Sequence, residues 1–265
     1  SMVFDKIPDK RKYFLRQIHR QQNDNPILEL ASKLQDPTID FSAFDQLVRE
    51  ASFFDERVIY SQRVNIDLMA LSPVLVWRNA TRIRLINAFR EAHSIIETEL
   101  VPGEPLICDG IELPLKHRKK RIDLEARGLV KGAHVIYLGP GRKPGFSKLY
   151  IIGSDDPQVS AASIVKIEKP DVEEPFIPFA ARMGATFLHG SAVTIHKSQG
   201  SQWEQVQVIS SDLAIAARTG RVESGQPLWK RLTYVAITRA QHQLHWVTRN
   251  RLSKPKIPLD TTKLI

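Results

Sequence analysis

A β-rich stretch interrupts the α/β pattern of this chain, and that interruption most limits the folds open to it. Ahead of it, Pro73-Val74-Leu75-Val76-Trp77 is a short apolar run that suits a buried parallel strand. The run leads into Asn79 and a long helix carrying Ile83, Ile86, Phe89 and Arg90 on successive turns. From Val101 to Pro178 there are nine prolines, several glycines and short β-rich runs. Ala133–Leu138, Lys148–Ile152 and Ile164–Ile167 read as strands there, with Gly139-Pro140-Gly141 and Lys143-Pro144-Gly145 as turns. The α/β pattern then resumes. Strands are expected at Ala192–Ile195 and Val206–Ser210, a helix over Pro227–Ala240 and an alternating strand over His242–Thr248. The expected organisation is one parallel-sheet domain flanked by helices, built from residues 1–100 and 179–265, with 101–178 inserted as a small all-β module. Nearer the start, 11–35 reads as helical with a break at Asn25-Pro26, where proline suits a first turn. Ser42 with Asp45 is the expected cap of a short helix through Ala51.

No stretch approaches the roughly 18 apolar residues of a membrane span, and no signal-like apolar core opens the chain. The single cysteine, Cys108, allows no internal disulfide and fits a reducing cytoplasm. It also leaves no cysteine-based zinc site, and the eight histidines have no HExxH spacing, so no metal ligands are assigned. Lysine and arginine number 38 against 29 acidic residues, a net charge of +9. Such a surplus attracts polyanions.

The segment richest in chemistry is Ala192-Val193-Thr194-Ile195-His196-Lys197-Ser198-Gln199-Gly200-Ser201. A strand ending in small, polar and basic groups, closed by glycine, leaves a backbone that a phosphate can approach. This segment resembles motif V of superfamily 1 helicases of the RecD and Dda type, which share a UvrD-like C-terminal domain. Leu232-Thr233-Tyr234-Val235-Ala236-Ile237-Thr238-Arg239-Ala240, on an apolar helix leading to a strand, resembles motif VI of the same family. Leu15-Arg16-Gln17-Ile18-His19-Arg20-Gln21 resembles motif IV, and the stretch with Asn79 and Asn87 resembles the family's TNxxxxxxxN segment, Trp77-Arg78 replacing its threonine. The four likenesses occur in family order.

The resemblance implies a RecA-like sheet, an SH3-like insertion and the C-terminal motor half of an ATP-dependent DNA helicase moving 5′ to 3′. It implies that Arg239 is an arginine finger and Arg20 a second phosphate-sensing arginine. An always-charged guanidinium offsets the charge that develops in phosphoryl transfer. Gln199 and Gly200 would face nucleotide phosphates, and Gln202 a ribose, where many relatives carry glutamate. Thr194, His196, Lys197 and Asn79 would contact single-stranded DNA. The cluster from Lys116 to Arg121 reads equally as a phosphate track or as an exposed charge run. Read without the resemblance, Arg239 is a surface arginine at a helix end.

No GxxxxGK[ST] and no strand ending in Asp-Glu occur in the sequence. ATP with Mg²⁺ is therefore expected to be shared with an N-terminal RecA-like domain, and this chain alone is expected not to hydrolyse it. A cytoplasmic monomer is the expected state. The alternative is a stand-alone, helicase-derived nucleic-acid-binding protein without ATPase activity, whose affinity falls steeply with salt and ignores nucleotide.

Overall fold

A computed structural model describes residues 25–96, 99–112, 117–166 and 184–262. Its centre is a five-stranded, all-parallel sheet in the order β1 (Val58–Ser61), β12 (Ala240–Val247), β9 (Trp203–Ile209), β2 (Val74–Val76) and β8 (Ala192–Thr194). Successive side chains of a strand point to opposite faces, so a strand covered on both sides must be apolar at every position. That is the case for Val74-Leu75-Val76, buried throughout. Leu75 joins the core of one face with Val193, Val206, Val208, Leu244 and Trp246. Val74 and Val76 join the core of the other with Ala192, Ile209 and Val247.

Helices cover both faces. On the first lie α1 (Pro26–Lys33), α2 (Phe41–Phe54), α6 (Ser210–Arg218) and α7 (Leu228–Ile237), which supply Ile27, Phe44, Leu213 and Trp229. On the second lie the short α3 (Ile66–Met69) and α4 (Asn79–Ala92), with Ile66, Met69, Leu85 and Phe89. This is the parallel α/β sheet flanked by helices expected from the sequence. Gln207, fully buried on β9, accepts a hydrogen bond from the Asn65 backbone N–H at 2.7 Å and donates to its carbonyl at 2.9 Å, fixing the turn that starts α3.

The expected cap of α2 is corrected. Asp40, not Ser42 with Asp45, caps it by accepting from Ala43 N–H at 2.8 Å, and the helix runs on to Phe54. Asp40 has the extended backbone a cap residue needs, whereas Ser42 and Asp45 already lie inside the helix. Asp45 instead accepts from Tyr60 at 2.8 Å and from the Trp246 indole at 2.7 Å, tying α2 to β1 and β12. Burial, and next the Asp45 carboxylate, push the Tyr60 hydroxyl up to about 12.

The β-rich stretch folds as a closed barrel of β3 (Pro105–Glu112), β4 (His134–Pro140), β5 (Phe146–Ile151), β6 (Gln158–Lys166) and β7 (Gly184–His189). Its own core holds Leu106, Cys108, Leu129, Val135, Leu149 and Phe187. The boundary expected at Pro178 lies outside the described residues. The barrel's last strand comes after it, because β7 pairs with both β3 and β6. Within the barrel α5 (Arg118–Ala126) carries Arg118 to Arg121, the described part of the basic cluster with His117; Lys116 lies outside it. Lys120 sits over the Phe146 ring at 4.6 Å and Arg121 pairs with Glu125, four residues on.

Candidate functional site

The candidate residues fall at two ends of the parallel sheet. Thr194 is the last residue of β8, level with Val76 of β2, and Asn79 opens α4 three residues beyond Val76. Both therefore sit at the carboxyl edge, where α/β sheets commonly contact ligands. Gln202 precedes Trp203, the first residue of β9, and Arg239 precedes Ala240, the first residue of β12, whose register partner is Trp203. These stand at the opposite, amino edge. Trp203 to Ile209 is six strand steps, which at about 3.3 Å each separates the two edges by roughly 20 Å.

The turn from Ile195 to Ser201 connects them. Lys197 and Ser198 N–H groups both bond the Thr194 carbonyl, at 2.9 and 3.1 Å, and Ser201 N–H bonds the Ser198 carbonyl at 3.1 Å. The buried Ser198 hydroxyl donates to the Ile195 carbonyl at 2.7 Å, so this serine holds the turn and does not face solvent. His196, Lys197, Gln199 and Gly200 are exposed. Gly200 has φ +89°, a left-handed conformation, and a Cβ there would meet nothing within 4 Å. Glycine is needed for backbone shape, and the space beside it is open. Lys197 forms an ion pair with Asp109 of β3 at 2.9 Å.

Arg239 meets this turn directly. Its guanidinium donates to the Ser201 carbonyl at 3.0 Å, across 38 residues of sequence, to the Val235 carbonyl at 3.0 Å and to the Thr238 hydroxyl at 3.2 Å. Its own carbonyl accepts from Trp203 N–H at 3.0 Å. Gln202 reaches the Thr238 carbonyl at 3.5 Å. The two segments with the strongest motif likeness thus form one surface. Arg20 lies outside the described residues.

Two polar clusters that sequence reasoning missed hold these edges in place. Asp212, buried in the first turn of α6, accepts from Trp77 N–H at 3.1 Å and Arg78 N–H at 2.9 Å. It also accepts from the Arg78 guanidinium at 2.7 and 2.9 Å and from the Thr81 hydroxyl at 2.8 Å. One carboxylate thereby fixes the turn that presents Asn79. The Asn79 amide oxygen in turn accepts from Arg82 at 2.8 Å. The second cluster joins barrel to sheet. Fully buried Glu104 accepts from Arg90 of α4 at 2.8 Å and from Val101 N–H at 2.7 Å, and bonds His189 at 3.0 Å. Burial pushes the Glu104 carboxyl up, but the His189 hydrogen bond and charge, Val101 N–H and Arg90 outweigh it and hold the group below its usual range. Burial pushes the Cys108 thiol up to about 11, which keeps it protonated and unreactive. Among the described residues no group of three or more His, Cys, Asp or Glu could hold a metal ion, and no helix is long and apolar enough to cross a membrane.

A helix-flanked parallel sheet thus carries a turn, Ile195 to Ser201, that meets the Arg239 guanidinium. Residues 189–247, which span both segments, match the family model described as UvrD-like helicase C-terminal domain. A search of curated proteins found no match. Among solved structures the chain is similar to Bacteroides Pif1 bound to ssDNA, with 13% identity over 88% of this chain and 50% of that one, TM-score 0.44. Bacteroides sp Pif1 in complex with ADP-AlF4 gives 14% identity, 87% and 50% coverage and a TM-score of 0.45. Pif1 helicase from Candida albicans gives 15%, 91% and 57%, with a TM-score of 0.43. The chain spans about half the length of these structures.

Proposed function

We propose that this chain is the C-terminal motor half of an ATP-dependent DNA helicase of superfamily 1, travelling 5′ to 3′ on single-stranded DNA. One observation carries the reading: the Arg239 guanidinium rests on the Ser201 carbonyl, so the turn from His196 to Ser201 and the arginine address one point in space. Gln199, Gly200 and Gln202 then face the nucleotide from this side of an interdomain cleft. The opposite wall is an N-terminal RecA-like domain that binds ATP with Mg²⁺. Arg239 is the finger, joined by Arg20, and the Val235, Ser201 and Thr238 oxygens it meets are neutral ones that a γ-phosphate outcompetes on closure. Thr194, His196, Lys197 and Asn79 contact the strand at the carboxyl edge. Because the turn runs from Thr194 at that edge to Ser201 beneath Arg239, nucleotide state and strand contact move as one element. The chain works as a cytoplasmic monomer and does not hydrolyse ATP by itself.

DNA-stimulated ATP hydrolysis tests this, measured on the chain alone and joined to the N-terminal domain. The chain alone is expected to show none. In the joined protein Arg239→Ala should lower kcat by about 10³-fold or more while single-strand affinity changes little. Full turnover in that variant refutes the finger. Binding to single strands that ignores nucleotide in the joined protein refutes the motor.

A further inference from the structure

The end of the chain has a charge bias that the motif-like segments do not use. From Ala240 to Leu259 there are four lysines and arginines, Arg249, Arg251, Lys254 and Lys256, and no acidic residue. The stretch from Val58 to Ile66 likewise holds Arg63 and no acid. The fold lays these two segments side by side. β1 and β12 are parallel neighbours, and their pairing runs on past both strands. Thr248 N–H donates to the Ser61 carbonyl at 2.9 Å, and Val64 N–H to the Arg251 carbonyl at 2.8 Å. Arg63 therefore runs beside Arg249 and Arg251. All three are exposed, and none has an acidic partner among the described residues. Like charges on adjacent strands destabilise. Other surface arginines have theirs offset: Arg57 pairs with Asp55, Arg127 with Asp156 and Arg231 with Glu223.

The backbone beneath the three arginines is fixed. Leu252 pairs with Val64 and packs against the core of the second face. The Ser253 hydroxyl accepts from Ile66 N–H at 3.1 Å, and the Asp67 carboxylate from Lys256 and Ile257 N–H at 3.0 and 3.1 Å. Mutually repelling cations on a rigid backbone, offset by no carboxylate, break a local rule of stability and suit a polyanion. Their place in the sheet selects which one. Ser61, Val247, Ile209, Val76 and Thr194 stand in one row at the carboxyl edge. β12 lies two strand spacings from β2, so the loop with Arg249 leaves the sheet roughly 10 Å from the turn that presents Asn79. A stacked strand covers that distance in about three nucleotides, at roughly 3.4 Å each. Between the two, after β9, Asp212 is paired with Arg78 and so repels no phosphate. We propose that Arg63, Arg249 and Arg251 form a phosphate-binding corner that carries a single strand onward across the carboxyl edge. The corner is read from the arginines alone; that the same strand lies on Asn79 and Thr194 rests on the proposed function.

Fluorescence anisotropy of a labelled deoxythymidine oligonucleotide, titrated with the whole chain between roughly 50 and 200 mM salt, tests the corner. Arg63→Ala, Arg249→Ala and Arg251→Ala together should make the slope of log K against log salt about 2 less steep, at about 0.7 per lost phosphate contact. The urea midpoint of that variant should not fall, since the three side chains hold no carboxylate. Lysine at the same three positions should keep the slope, because the charge remains. A control with Lys33→Ala, Arg49→Ala and Arg218→Ala, exposed positions on helices of the first face, should keep it too. An unchanged slope in the three-alanine variant, an equal drop in the control, or a drop that comes with a lowered urea midpoint overturns the proposal. A slope difference that stands while Arg239→Ala keeps full ATP turnover in the joined protein retains the corner and removes only the motor reading.

Discussion

Asp212→Ala separates the weight of a buried acceptor from that of a surface ion pair. The carboxylate is 1% exposed, and removing it strips the acceptor from Trp77 N–H, Arg78 N–H and the Thr81 hydroxyl, a residue 2% exposed. An unsatisfied donor costs about 1–2 kcal/mol, and with the Trp77 and Arg78 N–H groups only part-buried and so below the top of that range, the three together cost about 3–5 kcal/mol. The Arg78 guanidinium contributes less, because its side chain is 43% exposed and water replaces the lost oxygen. Arg78→Ala should therefore cost about 1 kcal/mol, the carboxylate keeping its two backbone donors and Thr81. Asp212→Asn falls between, at about 2–3 kcal/mol, since one amide oxygen remains and an N–H₂ meets donors. Urea unfolding followed by tryptophan fluorescence gives these values as midpoint shifts at constant slope. In a chain of this size, Asp212→Ala should lower Tm by about 6–20 °C. Its single-strand affinity should also fall about tenfold, as the Asn79 turn loosens. A loss under about 1 kcal/mol in Asp212→Ala, or an equal loss in Arg78→Ala, refutes the reasoning.

Gly132→Ala should destabilise by about 2–4 kcal/mol, since φ is +88° and the new Cβ would fall 1.8 Å from the Ser201 hydroxyl oxygen. Ser201→Gly in the same chain should restore the part due to the clash and leave the backbone strain, a difference readable in a double-mutant cycle. Lys197→Ala should change stability by less than about 1 kcal/mol, its pair with Asp109 being half exposed, yet lower the salt dependence of strand binding by about one counterion. Equal salt slopes would place Lys197 off the strand. Burial lowers His134 from 6.5 to about 3 and His245 from 6.5 to about 4, so the unfolded chain takes up protons first as pH falls. Stability is then complete above about 6.5 and lost below it. Near pH 5 each histidine costs about 2 kcal/mol, a loss that His245→Gln should halve in urea midpoints compared between pH 7 and 5.

Local pattern carried much of this protein. Leu75 between two valines announces a doubly covered strand, and Pro26 after Asn25 starts a helix where expected, because neighbours along the chain set both signals. The turn from His196 to Ser201 and the segment ending at Arg239 were legible for the same reason, each being contiguous. Only the folded sheet brought them together, through one hydrogen bond across 38 residues. Strand β1 escaped the sequence reading because its Ile59, Tyr60 and Ser61 are only half buried, and an edge strand lacks a fully apolar run. The last barrel strand escaped because its pairing with β3 joins residues far apart in sequence. Asp212 lies more than 130 residues from the groups it holds, and Glu104 lies 85 from His189. No periodicity encodes such partners. Burial decides them, since a carboxylate removed from water is tolerated only where the chain's distant donors converge on it.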